Sequence, residues 1–211
     1  MDVNGMHRVN LALIGFNISA LTLAVATVCF SVSRGFDITD ESFYILNIWR
    51  PEDNLAALSA FGHYLNLVTV FVGQSISGLR VIGLLLLLSI AGTLHFQIRQ
   101  YCIEKFALHL NPSMEVALVC SMFLASMVYY RFWLLTPSYN LFALAGAVLV
   151  STGGILGYRT FRNGIRETHQ DKDVILKITK ISALIAVGGA LGFVGRPTTA
   201  LALCFVVGLW L

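Results

Sequence analysis

Asp40 and Glu41 stand side by side in the stretch RGFDITDESFYILNIWRPEDN, which runs from Arg34 to Asn54. With Asp37, Glu52 and Asp53 they make five of the eleven acidic residues of the chain, gathered in one short segment. The arginines show a pattern of their own: Arg34, Arg50, Arg80, Arg131 and Arg196 all fall in or beside breaks between apolar runs. A guanidinium is a planar fork of donors that grips phosphate through paired hydrogen bonds, which a lysine ammonium does not do. Carboxylates beside arginines at a lipid–water boundary would suit an amphiphile with a phosphate head. That chemistry requires the two sets of residues to reach one place, which depends on the elements that carry them.

Those elements belong in lipid. Of the 211 residues, 57% are hydrophobic and 12% charged, about half the charged share of an ordinary soluble domain; the mean hydropathy is +0.78. The fold class expected is all-α: a polytopic membrane helix bundle of about five or six spans, forming one membrane domain over residues 1–211. Spans need about 20 apolar residues. They are expected at about 9–33, 76–98, 113–130, 139–158 and 178–194, with a partial sixth at 197–211. The first is too long for the apolar core of a signal peptide and is read as a retained helix. The sixth run stops at Leu211 without a polar flank, so the chain is expected to be an N-terminal fragment.

Basic residues set the orientation. With the N-terminus cytoplasmic, Arg8, Arg99, Lys105, Arg159, Arg162, Arg166, Lys172, Lys177 and Lys180 lie inside, and the five arginines above lie outside. The acidic loop, residues 34–75, is then extracytoplasmic. Within it, Thr39 or Asp40 can cap a short helix that Pro51 ends. EDNLAALSAFGHYLNLVTVF starts a second helix, with an apolar stripe at Leu55, Leu58, Phe61, Leu65 and Val68. Both are expected to lie in the interface with the apolar face in lipid. Two more turns fall on that side, YYRFWLLTPSYN and GFVGRPTTA. Thr136 or Ser138, and Thr198 or Thr199, can cap helices whose N-terminal ends favour an anion.

With these stretches in view, the sequence resembles the N-terminal part of the GT-C membrane glycosyltransferases, which include dolichyl-phosphate-mannose protein mannosyltransferases and bacterial lipid-A sugar transferases. GFDITDESFYIL looks like the family's acidic motif, with Asp40-Glu41 as its Asp-Glu pair and Tyr44 following. SGLRVIGLLLLLSIAG looks like the start of its second span, and LLTPSYNLFALAGAVL and GRPTTALAL look like recurrent turns of bacterial members. The later spans and the C-terminal extracytoplasmic domain of the family have no counterpart in these residues.

The resemblance implies transfer of a sugar from a polyprenyl-phosphate donor to an acceptor hydroxyl, in the plasma (inner) membrane of a prokaryote. Asp40 would be the general base, with Asp37 second in line. Glu41 would orient the acceptor or help bind a divalent cation. Tyr44 and the arginines Arg80, Arg131 and Arg196, in that order, would contact the substrate and meet the charge of the departing phosphate.

The alternative is a non-catalytic subunit that binds lipid phosphates or scaffolds a larger enzyme; it needs the arginines but not Asp40. A transporter would place ionisable groups near the bilayer midplane, whereas His95 and Glu115 fall toward the ends of their spans. A nucleic-acid partner is not indicated: the basic loop YRTFRNGIRETHQDKDVILKITK also holds Glu167, Asp171 and Asp173, and membrane topology accounts for it. His7, His63, His109 and His169 form no ligand motif, so no metal site is expected from them. Cys29, Cys102, Cys120 and Cys204 have neither metal nor disulfide spacing and are expected as small core residues.

Overall fold

The computed structural model describes the backbone of residues 3–35, 40–53, 59–107, 110–132, 135–167, 171–198 and 200–202. Side chains are described within these ranges from residue 10 onward, except at 131–132, 163–167 and 171–174. The described residues form α-helices and no strand: α1 (Val3–Ser31), α2 (Asp40–Trp49), α3 (Phe61–Val72), α4 (Ile76–Phe106), α5 (Pro112–Met127), α6 (Tyr129–Phe132), α7 (Tyr139–Glu167) and α8 (Asp171–Gly195). A 3₁₀ turn, Pro51–Asp53, follows α2.

Among the described residues, four stretches are long and apolar enough to cross a membrane: Asn10–Ser31, Ile76–Phe106, Tyr139–Arg162 and Ile175–Gly195. The chain is an all-α membrane helix bundle, as its composition requires. Its spans differ from expectation mainly at their ends. α4 continues past residue 98 to Phe106, α7 past 158 to Glu167, and α8 starts at Asp171 rather than 178. A helix does not stop where lipid stops, because its backbone groups stay paired by carrying on into water. The stretch expected to span at 113–130 is instead the 16-residue α5, about 24 Å long, and the four-residue α6. They meet at Val128, whose N–H turns back to the carbonyls of Ala125 and Ser126. Of the last apolar run, residues 197–198 and 200–202 are helical, and 203–211 lie outside the described residues.

The tightest packing joins α7 to α8, where glycines let the backbones touch. A Cβ at Gly146 would fall 2.5 Å from the Gly188 carbonyl oxygen, and one at Gly195 would fall 2.5 Å from that of Tyr139. Small residues are how helices associate in lipid, where no hydrophobic force draws them together. α7 also packs on α4, α4 on α5, and α5 on α1. α1 is hardly buried; Ser121 of α5 donates to Asn17 across that contact.

α2 and α3 lie over one end of the bundle. Gly62 brings them together, since a Cβ there would collide with the Asn47 carbonyl at 2.2 Å. Tyr44, Ile48, Phe61, Leu65, Leu79 and Phe142 form a core between the two helices and the bundle. This corrects the expected stripe of the second loop helix. Phe61 and Leu65 are buried and Val68 packs beside them, while Leu55 and Leu58 lie outside the described residues. The exposed apolar face of α3 is Leu67, Val70 and Phe71. The stripe packs against protein, meeting Tyr44 and Ile48 of α2, Leu79 of α4 and Phe142 of α7. Of the cysteines, Cys120 is buried, Cys29 is exposed and Cys102 is half-buried, all three being free thiols; Cys29 is therefore no core residue.

Candidate functional site

The C-terminal end of α1, the loop helices, the start of α4, the 135–138 segment, the start of α7 and the end of α8 meet at one end of the bundle. Their meeting point is Arg80, in the second turn of α4. A helix leaves its last carbonyls unpaired, and Arg80 collects those after α1. Its Nη1 donates to the carbonyls of Ser31 (3.3 Å), Val32 (2.7 Å) and Arg34 (3.0 Å), and its Nη2 to that of Gly35 (2.7 Å). Gly35 turns there with φ +66°, a left-handed backbone that glycine adopts without strain.

The same guanidinium holds Glu41. Nε donates to Oε1 at 2.9 Å, and Nη2 reaches both carboxylate oxygens at 2.7 Å. Thr136 donates its hydroxyl to Oε1 as well. Glu41 is 2% exposed, Arg80 4% and Thr136 0%, so the pair is closed off from solvent. Thr136 reaches it because Gly83, one turn along α4, leaves room for Pro137; a Cβ at Gly83 would lie 2.8 Å from the proline ring. Ser138 follows as the cap of α7, accepting from the Asn140 N–H at 3.3 Å. Arg80 and Glu41, expected to face a substrate, thus face each other. Every nitrogen of the guanidinium is engaged within the protein, and both carboxylate oxygens of Glu41 are bonded to Arg80.

Asp40 is different. It opens α2 as the first helical residue, and it is exposed. One turn on, Tyr44 is buried in an aromatic cluster, edge-to-face with Phe61 and with Tyr139, both at 5.8 Å between ring centres. The Tyr44 pKa is pushed well above the ordinary tyrosine value, first by burial, then by the neighbouring Tyr139 side chain, then by the charge of Asp40. Arg196, just past α8, lies with its guanidinium 5.1 Å from the Tyr139 ring centre. Arg196 is exposed. The chain therefore brings the exposed Asp40 and Arg196 to the same end of the bundle, linked through the buried Tyr44 and the half-buried Tyr139, beside the buried Glu41–Arg80–Thr136 group.

The other expected residues are placed as follows. Arg131 lies in α6 at this end of the bundle, with its side chain outside the described set; Asp37 is wholly outside it. Tyr139 and the clamping role of Thr136 were not apparent in sequence. A tyrosine opening a span looks like any interfacial aromatic, and Thr136 reads as a helix cap. Their only cue was membership of the TPSY turn on the same side as the acidic loop. Glu115, weighed for transport, sits in the first turn of α5 and is paired with Arg99. Among the described residues no three His, Cys, Asp or Glu side chains gather as metal ligands. No family model, no curated protein and no solved structure matches this chain.

Proposed function

We propose that this membrane protein takes part in transferring a sugar from a polyprenyl-phosphate donor to an acceptor hydroxyl, with Asp40 as the general base. One observation carries the reading: an exposed carboxylate at the head of α2 and the exposed Arg196 lie at the same end of the bundle, linked through Tyr44 and Tyr139, while Glu41 is locked beneath. The adjacent acids have separate work. Glu41, fixed by Arg80 and Thr136, holds the first turn of α2 against the bundle and so sets where Asp40 points. Asp40 takes the proton of the attacking hydroxyl. That oxygen forms its bond to the anomeric carbon as the bond to the phosphate oxygen breaks, inverting the configuration. The electron pair leaves with the lipid phosphate, whose charge Arg196 meets at a water-poor boundary. Tyr139 holds that guanidinium by its ring.

The site belongs to the extracytoplasmic face of a prokaryotic plasma membrane, with the N-terminus inside; the excess of basic residues at the opposite end supports this. The test uses membrane-reconstituted protein, a radiolabelled polyprenyl-phosphate sugar and a hydroxyl acceptor. Asp40→Asn should lower transfer by roughly 10²-fold or more, as loss of a general base does, while donor binding persists. Transfer that survives Asp40→Asn refutes the base. Donor binding that depends on Arg196, without transfer by the unaltered protein, would instead identify a lipid-phosphate-binding subunit.

A further inference from the structure

The far end of the bundle carries a constellation that sugar transfer does not use. Tyr101 and Lys105 stand one turn apart on α4, and Tyr158 and Arg162 one turn apart on α7. Each helix thus presents a tyrosine followed by a cation on a single face. The two faces meet, with the rings of Tyr101 and Tyr158 5.7 Å apart. Lys105 Nζ lies 2.5 Å from the Tyr101 hydroxyl, and 5.1 and 5.4 Å from the ring centres of Tyr101 and Phe106. The contact of the two tyrosine rings brings Lys105 and Arg162, each one turn beyond its tyrosine, to the same end of the α4–α7 seam.

Both cations are exposed. Among the described residues neither forms an ion pair, while the nearby Glu104 and Glu115 are engaged by Arg159 and Arg99. Two like charges drawn together by packing are stabilised by an anion that bridges them. The depth is informative too. Lys105 lies in the last turn of the apolar α4, and Arg162 ends the apolar stretch of α7, where helices leaving lipid pass the headgroup layer. Phe106 and Phe161 beside them are 59% and 73% exposed, an apolar rim suited to the upper acyl chains. Basic pockets between spans take up anionic headgroups in this way, and tyrosines favour that boundary.

We infer that Lys105 and Arg162, with the hydroxyls of Tyr101 and Tyr158, bind the phosphate of an anionic phospholipid at this end of the bundle. A free phosphate would offer the same oxygens, but the aromatic rim selects the lipid. The test is thermal unfolding of the full chain in detergent, titrated with short-chain phosphatidylglycerol, short-chain phosphatidylcholine or inorganic phosphate. Phosphatidylglycerol alone should raise the unfolding midpoint. Lys105→Gln with Arg162→Gln should weaken its binding roughly tenfold or more, with the lipid-free midpoint unchanged. Equal shifts with phosphatidylcholine, or a full shift retained by the double variant, overturn the site. An equal shift with inorganic phosphate makes it a free-anion site and overturns the lipid. If the double variant does not fold, Tyr101→Phe is read in the same titration. It removes a hydroxyl and no charge, so weaker phosphatidylglycerol binding supports the site and unchanged binding overturns it.

Discussion

Glu41 and Arg80 show how far a charged residue's type can mislead about its surroundings. Both read in sequence as groups turned toward a substrate, since charged side chains are almost never fully buried unless paired. The pairing is what the sequence hides: the partners stand 39 positions apart, and no local period links them. Removing one member should be far worse than removing a surface charge. Glu41→Ala leaves the Arg80 guanidinium buried with only neutral carbonyls and no carboxylate, a loss on the order of 3–5 kcal/mol. Glu41→Gln keeps an oxygen for Thr136 and Arg80 and should cost clearly less. Thermal unfolding of the two variants beside Arg50→Gln checks this. Arg50 pairs with Asp53 at 3.9 Å with both side chains exposed, and such a pair contributes little. If Glu41→Ala unfolds no earlier than Arg50→Gln, the buried pair does not hold the loop.

At the scale of elements, the helices were legible and their faces were not. Apolar length announces a span because lipid demands about 20 residues whatever their order. Lipid also erases the amphipathic pattern from which a buried face is read in soluble proteins. Glycine is the cue that survives, and α7 and α8 meet along Gly146, Gly188 and Gly195. The 3.6-residue stripe of α3 was visible at Phe61 and Leu65, yet its direction depended on α2 lying across it, which no single segment encodes. A prediction follows for the glycine seam. Gly146→Val places its Cβ 2.5 Å from the Gly188 carbonyl oxygen and the Gly192 nitrogen, backbone atoms that cannot swing away. The helices must separate, at about 1–3 kcal/mol. Because Gly195 presses on Tyr139 at the same seam, the spacing of Tyr139 and Arg196 should change with it. The measurement is the unfolding midpoint together with donor binding. Gly154→Val, at a glycine with no neighbour within 4 Å, should leave both alone.

For the whole molecule, the chain's up-and-down path sorts its chemistry between two ends. Asp40, Tyr44, Tyr139 and Arg196 gather at one end, and Lys105 and Arg162 sit at the other. Sequence reasoning reached this division by counting apolar crossings. It stopped short of proximity, because helix order in a membrane is set by side-by-side packing and not by chain order. α1 packs on α5, for instance, and α4 lies between α5 and α7. Which end faces the cytoplasm decides whether the proposed donor can reach Asp40, and the arginine and lysine distribution makes a definite prediction. In a background with the four native cysteines replaced by serine, Arg50→Cys should react with a membrane-impermeant maleimide on intact cells. Lys105→Cys should react only after the membrane is opened. The reverse pattern would put Asp40 on the cytoplasmic side, where an extracytoplasmic lipid-linked sugar cannot meet it, and the sugar-transfer reading would fall. The phospholipid site would survive that reversal, since its donors need only a headgroup at the end of α4 and α7, whichever leaflet supplies it.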